Sequence, residues 1–244
     1  MKEEIVKKIK ETNQKYLGKL VDQEIPQKLE KQLKDMDWSY LDLIHRKKHE
    51  RGTFEPLKAT EISEIKQRET EFRKAGLDAI RAGKVGAILL AGGQGTRLGF
   101  DKAKGMFNIG VNRTLYIFEQ LIANLMDVTN EAGTWIPLYI MTSDKNDEQT
   151  RAFFEEHNYF GYNKDYVKFF VQEMVPAVDF EGNVLREAED SLAMSPNGNG
   201  GWYKSLLRAG LNQDIRKRGV EWLNVFAVDN VLQRIADPVF VGAT

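Results

Sequence analysis

The stretch AILLAGGQGTRLG, residues 87–99, sets four glycines, a threonine and an arginine directly behind an apolar run. Gly92, Gly93, Gly95 and Gly99 allow successive backbone N–H groups to turn toward one point and approach an anion closely. Arg97 adds a guanidinium, and Lys102 and Lys104 follow in FDKAKGM, so a guanidinium and an ammonium can converge on the same negative charge. On local grounds the glycines also suit a plain turn, and isolated lysines are commonly solvated. Two phosphate-binding patterns are excluded. A P-loop needs Gly-Lys followed by Ser or Thr, whereas Lys104 precedes Gly105; a dinucleotide fingerprint needs a third glycine where Leu98 stands.

Three further groups could do chemistry. Gln172 closes YVKFFVQ; its primary amide offers an acceptor and donors, though a polar residue ending a strand is equally an ordinary occurrence. SPNGNGG, Ser195 to Gly201, has the composition of a hairpin turn or surface loop, and ahead of a helix it can present backbone amides and Asn199 to a ligand. Asp229 and Asn230 end VFAVDN, where they suit a turn or a helix cap; a carboxylate there, facing phosphates, is also a natural magnesium ligand. Covalent and zinc chemistry lack their residues. Cysteine is absent, no G-x-S-x-G elbow occurs, and His45, His49 and His157 have no metal-ligand spacing.

The elements that must position these groups change character near residue 84. VGAILL (85–90), IPLYIM (136–141), YVKFFV (166–171) and WLNVFAV (222–228) are short apolar runs suited to buried strands. Helical spacing predicts helices over 114–126, 146–157 and 202–218 between them. Strands alternating with helices imply an α/β fold, a mostly parallel sheet with helices on both faces, and ligands bind such sheets outside the strands' carboxyl ends. Residues 1–83 read as a helical N-terminal segment and 84–244 as the α/β domain. In the first part Ile5 and Ile9, Leu17 with Leu20 and Val21, Leu29 with Leu33 and Met36, and Leu41 with Ile44 recur at helical spacing, and Pro26 separates the first two helices. Their charged faces read as solvated, with the apolar side packed on the main domain. RGTFEP and residues 57–60 read as a loop, followed by a helix from 61 to 82 that ends at Gly83.

Composition narrows the function classes. Of 244 residues 42% are hydrophobic, and 35 Lys and Arg face 36 Asp and Glu, a net charge of −1 that leaves no electrostatic footprint for nucleic acid or an anionic membrane. No unbroken apolar run reaches transmembrane length, and the charged start MKEEIVKKIK is unlike a secretion signal, so a cytoplasmic setting is expected.

LLAGGQGTRLGFDKAKGMFNIG, YIMTSD, FFVQEMVPAV, MSPNGNGGWY and VFAVDNVLQRIADPVFVG occur in that order, and together the chain resembles the UDP-N-acetylglucosamine and UDP-sugar pyrophosphorylase family, the former especially. The resemblance covers 84–244 and implies that these residues form a nucleotide-binding catalytic domain. It departs at Ala103, where the family usually has Pro, and at Asn197, where it often has Asp. It implies a Rossmann-like, GT-A-like nucleotidyltransferase fold and a reaction in which UTP and a sugar 1-phosphate give a UDP-sugar and pyrophosphate. Arg97 and Lys104 would be the catalytic cations. Gly92, Gly93, Gln94, Gly95, Thr96, Gln172, Gly198 and Asn199 would bind the nucleotide, with Gln172 reading uracil. Asn199, Gly200 and Asn230 would meet the sugar, and Asp229 would hold Mg2+. The sugar is expected to be N-acetylglucosamine 1-phosphate, with glucose or galactose 1-phosphate as the sister reading, and the oligomeric state is left open. Family members continue past ADPVF, so a UTP-binding module without transfer is a further expectation; a nicotinamide-dependent oxidoreductase is disfavoured by the broken fingerprint.

Overall fold

A computed structural model describes residues 2–42 and 52–244; Ile44, His45 and His49, named above, lie outside the described residues. Helices α1 (Lys2–Glu11) and α2 (Gln27–Asp35) come first, then α3 (Ile62–Gln67) and α4 (Glu69–Arg81). Strands and helices then alternate as β1 (Val85–Leu90), α5 (Ile117–Ala132), β2 (Leu138–Thr142), α6 (Asp147–Glu156) and β3 (Val167–Val171). Four short strands follow, β4 (Met174–Pro176), β5 (Arg186–Ala188), β6 (Ser191–Leu192) and β7 (Met194–Pro196). The chain ends through α7 (Trp202–Arg208), α8 (Leu211–Lys217), β8 (Trp222–Ala227) and α9 (Pro238–Ala243).

Contacts divide these elements into two units, residues 1–57 with 174–197, and residues 58–173 with 198–244. In the first unit the apolar faces of α1 and α2 meet the excursion between β3 and α7. Ile5, Ile9, Leu29 and Leu33 share one buried cluster with Val184 and Leu192. Gln14 ties the two stretches together: its Nε2 donates to the Gly182 carbonyl at 3.1 Å, and its Oε1 accepts the Val184 N–H at 2.6 Å. These helices therefore have a core of their own, built with residues 174–197, whose two- and three-residue strands are too short to carry a readable period.

The second unit is the α/β fold, a four-stranded parallel sheet in the order β3-β2-β1-β8. Strand side chains alternate between faces, which sorts the core into two layers. Val85, Ala87, Leu89, Leu138 and Ile140 face a cluster completed by Phe118, Leu121 and Leu125 of α5. Ile88, Tyr139, Met141 and Phe170 face Leu206 of α7 and Leu211 and Ile215 of α8. Helices thus cover both faces, as the apolar runs imply. Tyr139 is fully buried, and its hydroxyl donates to Asp214 at 2.8 Å; burial, then that carboxylate, push the phenol pKa well above its ordinary value.

Helix ends differ from the expected ones for local reasons. The helix predicted over 114–126 spans 117–132, because residues 115 and 117 first pair with the preceding segment: Ile109 N–H donates to Leu115 at 2.8 Å and Ile117 N–H to Phe107 at 3.1 Å. Gly133, at φ 70°, closes it. The helix predicted over 202–218 breaks at Gly210, at φ 71°, and the one over 61–82 is interrupted at Arg68. Gly83, at φ 71°, ends α4 as expected. Although the composition changes near residue 84, α4 belongs to the sheet-bearing unit, where Phe72 and Ile80 are buried.

Candidate functional site

The chain leaves β1 toward β2 and arrives at β8, on the other side of β1, only after β3. Ligands settle outside the carboxyl ends of parallel strands where the order reverses in this way. The loop from Ala91 to Lys104 leaves β1 at that end; Ser143 to Asn146 leave β2, Gln172 leaves β3, and Asp229 and Asn230 follow β8.

The loop after β1 is a narrow, closed turn. Ala91 N–H is still in sheet register, donating to Met141 at 2.8 Å; beyond it Gly95 N–H donates to Lys102 at 2.9 Å and Lys104 N–H to Gly93 at 3.2 Å. Gly95 is pressed against Phe100, and an added Cβ would lie 2.8 Å from its ring, while Gly99 sits at φ 68°, a left-handed conformation suited to glycine. Among the described residues, no backbone carbonyl takes the N–H groups of Gly92, Gly93 or Gln94. Gly93, Thr96 and Arg97 are exposed. The buried Oε1 of Gln94 has no hydrogen-bond partner among the described residues.

Two side chains 125 residues apart meet beside this loop. The Lys104 ammonium pairs with the Asp229 carboxylate, the lysine side chain 20% exposed and the aspartate 62%. Adjacency of β1 and β8 brings them together. Lys104 is held from below by Gly105, which lies flat against the fully buried Phe118 ring.

Gln172 is buried at the end of β3, and its Nε2 donates to the Gly198 carbonyl at 2.8 Å. Gly198, at φ 80°, adopts a conformation that L side chains rarely take; its carbonyl also accepts the Gly201 N–H at 3.1 Å. The Gln172 Oε1 lies where a Cβ on Gly92 would come within 2.8 Å, so the amide sits directly over the start of the loop. The next residue, Glu173, anchors the strand end: its N–H donates to the Ser205 hydroxyl at 3.0 Å and its carboxylate pairs with Arg208. Gly198, Asn199 and Gly200 are exposed, as is Asn230, whose N–H donates to Ala227 at 3.3 Å.

A family model described as UTP–glucose-1-phosphate uridylyltransferase matches residues 14–244. The chain belongs to that family. It is 43% identical over 180 residues to the UDP-N-acetylglucosamine pyrophosphorylase of Saccharomyces cerevisiae, a match covering 72% of this chain and 38% of the relative. With the UDP-N-acetylglucosamine diphosphorylase 2 of Arabidopsis thaliana it shares 36% identity over 261 residues, covering 98% of this chain and 52% of the relative. Among solved structures it is similar to the uridine diphosphate N-acetylglucosamine pyrophosphorylase of Trypanosoma brucei crystallised with an inhibitor, with a TM-score of 0.69 at 31% identity, over 75% of this chain and 40% of that one. The chain thus spans about half the length, or less, of these relatives.

For this uridylyltransferase-family chain, the sequence-predicted residues gather on one unit. The glycine-rich loop, Lys104, Gln172, Gly198 and Asp229 are linked by the contacts above, whereas Arg97, Asn199, Gly200 and Asn230 are exposed at the ends of the same elements. Asn146 was not singled out from the sequence. It is fully buried between β2 and α6, and its amide reaches the first carbonyls of the loop. Its position just ahead of a helix signals a cap, which hides the connection to a loop 55 residues earlier.

Proposed function

We propose that this chain carries the nucleotide site of a UTP:sugar-1-phosphate uridylyltransferase, with N-acetylglucosamine 1-phosphate as the sugar substrate. The observation that carries the reading is the meeting, at one end of a parallel sheet, of loop N–H groups without a backbone acceptor among the described residues, the Lys104 ammonium and the Gln172 amide. The names of the relatives support N-acetylglucosamine.

In this reading the triphosphate lies against residues 92–96, with Arg97 and Lys104 sharing its charge. Gln172 presents a donor and an acceptor to uracil, matching N3–H and a neighbouring carbonyl. Gly198 and Asn199 flank the nucleoside, and Asn199, Gly200 and Asn230 meet the sugar. A sugar phosphate oxygen attacks the α-phosphorus; the bond from that phosphorus to the bridging oxygen breaks, and pyrophosphate leaves. No protein nucleophile is needed, because positioning and charge neutralisation carry the step. Among the described residues no group of three His, Cys, Asp or Glu could enclose a metal ion. The Asp229 carboxylate, 62% exposed, would hold magnesium as an oxygen ligand. Magnesium bound there supplies positive charge to the phosphates. A cytoplasmic setting is part of the proposal and accords with a chain free of cysteine; no helix among the described residues is long and apolar enough to cross a membrane.

The test titrates UTP, ATP and NADH with magnesium and then adds N-acetylglucosamine, glucose or galactose 1-phosphate while pyrophosphate is assayed. UTP is expected to bind in preference to ATP and NADH, with pyrophosphate released fastest with the N-acetylglucosamine substrate. Preference for ATP or NADH removes the uracil reading, and UTP binding without pyrophosphate release reduces the chain to a binding module.

Gly92 supplies a second check. A methyl group there meets Gln172 Oε1 at 2.8 Å, and the amide cannot retreat without disturbing its bond to Gly198. Gly92→Ala is expected to weaken UTP binding about tenfold, since misplacement of a fraction of an ångström is amplified at a positioned site. The melting temperature should hardly move, because the displaced group is the end of a side chain. Calorimetric titration and a thermal melt together check it.

A further inference from the structure

Asn146 occupies the residue before α6, where an asparagine ordinarily caps the helix by accepting an N–H from its first turn. Its side chain makes no such bond. Instead Oδ1 accepts the Ser143 N–H at 2.8 Å, and Nδ2 donates to the Ala91 carbonyl at 3.1 Å and to the Gly93 carbonyl at 3.4 Å. The residue is fully buried, with both ends of its amide engaged. It has given up its own helix to hold the opening of the glycine-rich loop.

We infer that Asn146 is the positioning residue that aims the loop's N–H groups. In a trans peptide the carbonyl of one residue and the N–H of the next point in opposite directions across a rigid plane. Fixing the Ala91 carbonyl on Asn146 therefore aims the Gly92 N–H away from it, and fixing the Gly93 carbonyl does the same for the Gln94 N–H. Gly93 is held twice, since its carbonyl also accepts the Lys104 N–H at 3.2 Å. Glycines turn freely; Asn146 removes that freedom at the two peptide planes that start the cradle. A buried, satisfied amide in a low-dielectric setting makes such a clamp stiff. The inference deepens the proposed UTP site and rests on that reading for what the N–H groups bind, but the clamp itself can be measured without nucleotide.

Asn146→Asp is the informative variant: it keeps size, shape and the acceptor for Ser143 N–H, and loses the donors to the loop. Asn146→Ala removes both. Tyr162→Phe serves as the control, since it deletes a buried 2.6 Å bond to the Ile136 carbonyl, just ahead of the amino end of β2 and away from the loop. Amide hydrogen exchange at Gly95 and Lys104, whose N–H groups donate across the loop, melting temperature and UTP affinity with magnesium are measured for each. Both Asn146 variants are expected to exchange about tenfold faster at the Gly95 and Lys104 amides, as a locally loosened segment does, and to bind UTP roughly 10- to 100-fold more weakly, the usual cost of losing an orienting partner. The control should change neither at a comparable loss of melting temperature. Unchanged exchange, unchanged UTP affinity, or failure of both Asn146 variants to fold overturns the inference. If the wild-type protein does not bind UTP while the exchange difference persists, the clamp stands and the nucleotide reading falls.

Discussion

Lys104→Met is expected to weaken UTP binding by roughly 10- to 150-fold, the equivalent of one charge-assisted hydrogen bond worth about 1.5–3 kcal/mol, while leaving the protein nearly as stable as before. The two effects separate because of where the lysine sits. Its side chain is only 20% exposed, so the stem is packed, and methionine keeps that packing. Its ammonium faces Asp229, a pair whose aspartate is 62% exposed, and such partly solvated pairs contribute at most about 1 kcal/mol to folding. Left alone, Asp229 is rehydrated. A triphosphate, by contrast, loses the cation fixed beside Asp229, one of the two proposed to share its charge. Asp229→Asn gives the complementary result. Without magnesium it should tighten UTP binding a few-fold, since a carboxylate that repels phosphate and occupies Lys104 has gone. With magnesium it should weaken binding, since the proposed metal ligand has gone. Isothermal titration with and without magnesium reads both signs, and an effect of Asp229→Asn that keeps one sign in both buffers removes the metal role.

The pairing of Lys104 with Asp229 also marks the limit of what the chain discloses before it is folded. The apolar runs at 85–90 and 222–228 identify two strands, and the glycines, Lys104 and Asp229 can be placed at their ends. That these two strands are neighbours is a property of the sheet, set by a reversal of strand order and not by any local pattern. The β3 run and Gln172 were legible in the same way, yet the Gly198 carbonyl that holds the Gln172 amide lies 26 residues away, beyond the short strands of 174–196. Those strands carry too few residues to show alternation, so their union with α1 and α2 in one core was invisible although Ile5, Ile9, Leu29 and Leu33 declared their own helices. Helix breaks at Arg68 and Gly210 were missed because the apolar spacing runs on across them while a single backbone angle stops the hydrogen bonding. Asn146 shows the same limit inside the site. A local cap signal was present, and a tertiary use overrode it.

Gly105→Ala is expected to cost about 3 kcal/mol of folding free energy, the upper part of the range for inserting a methyl group into a packed core, and to reduce UTP binding in the protein that remains folded. The added Cβ would lie 2.2, 2.3 and 2.4 Å from three carbons of the Phe118 ring. Carbon atoms prefer about 3.5–4.0 Å, so ring or backbone must move by more than an ångström. Phe118 cannot yield cheaply, being fully buried with its ring 5.0 Å from that of Phe154, itself fully buried. The easier movement belongs to the Lys104–Met106 turn, which would lift away from α5 and carry the Lys104 ammonium with it. Stability and affinity are therefore coupled at this glycine, whereas at Lys104 they are separate. A double-mutant cycle resolves the cause. Shrinking the obstacle in Gly105→Ala/Phe118→Leu should recover part of both losses, because the two residues are in direct contact and such pairs are non-additive by about 0.5–3 kcal/mol. Denaturant unfolding and UTP titration of the four proteins measure it; strict additivity would mean that the losses do not come from the clash with the Phe118 ring.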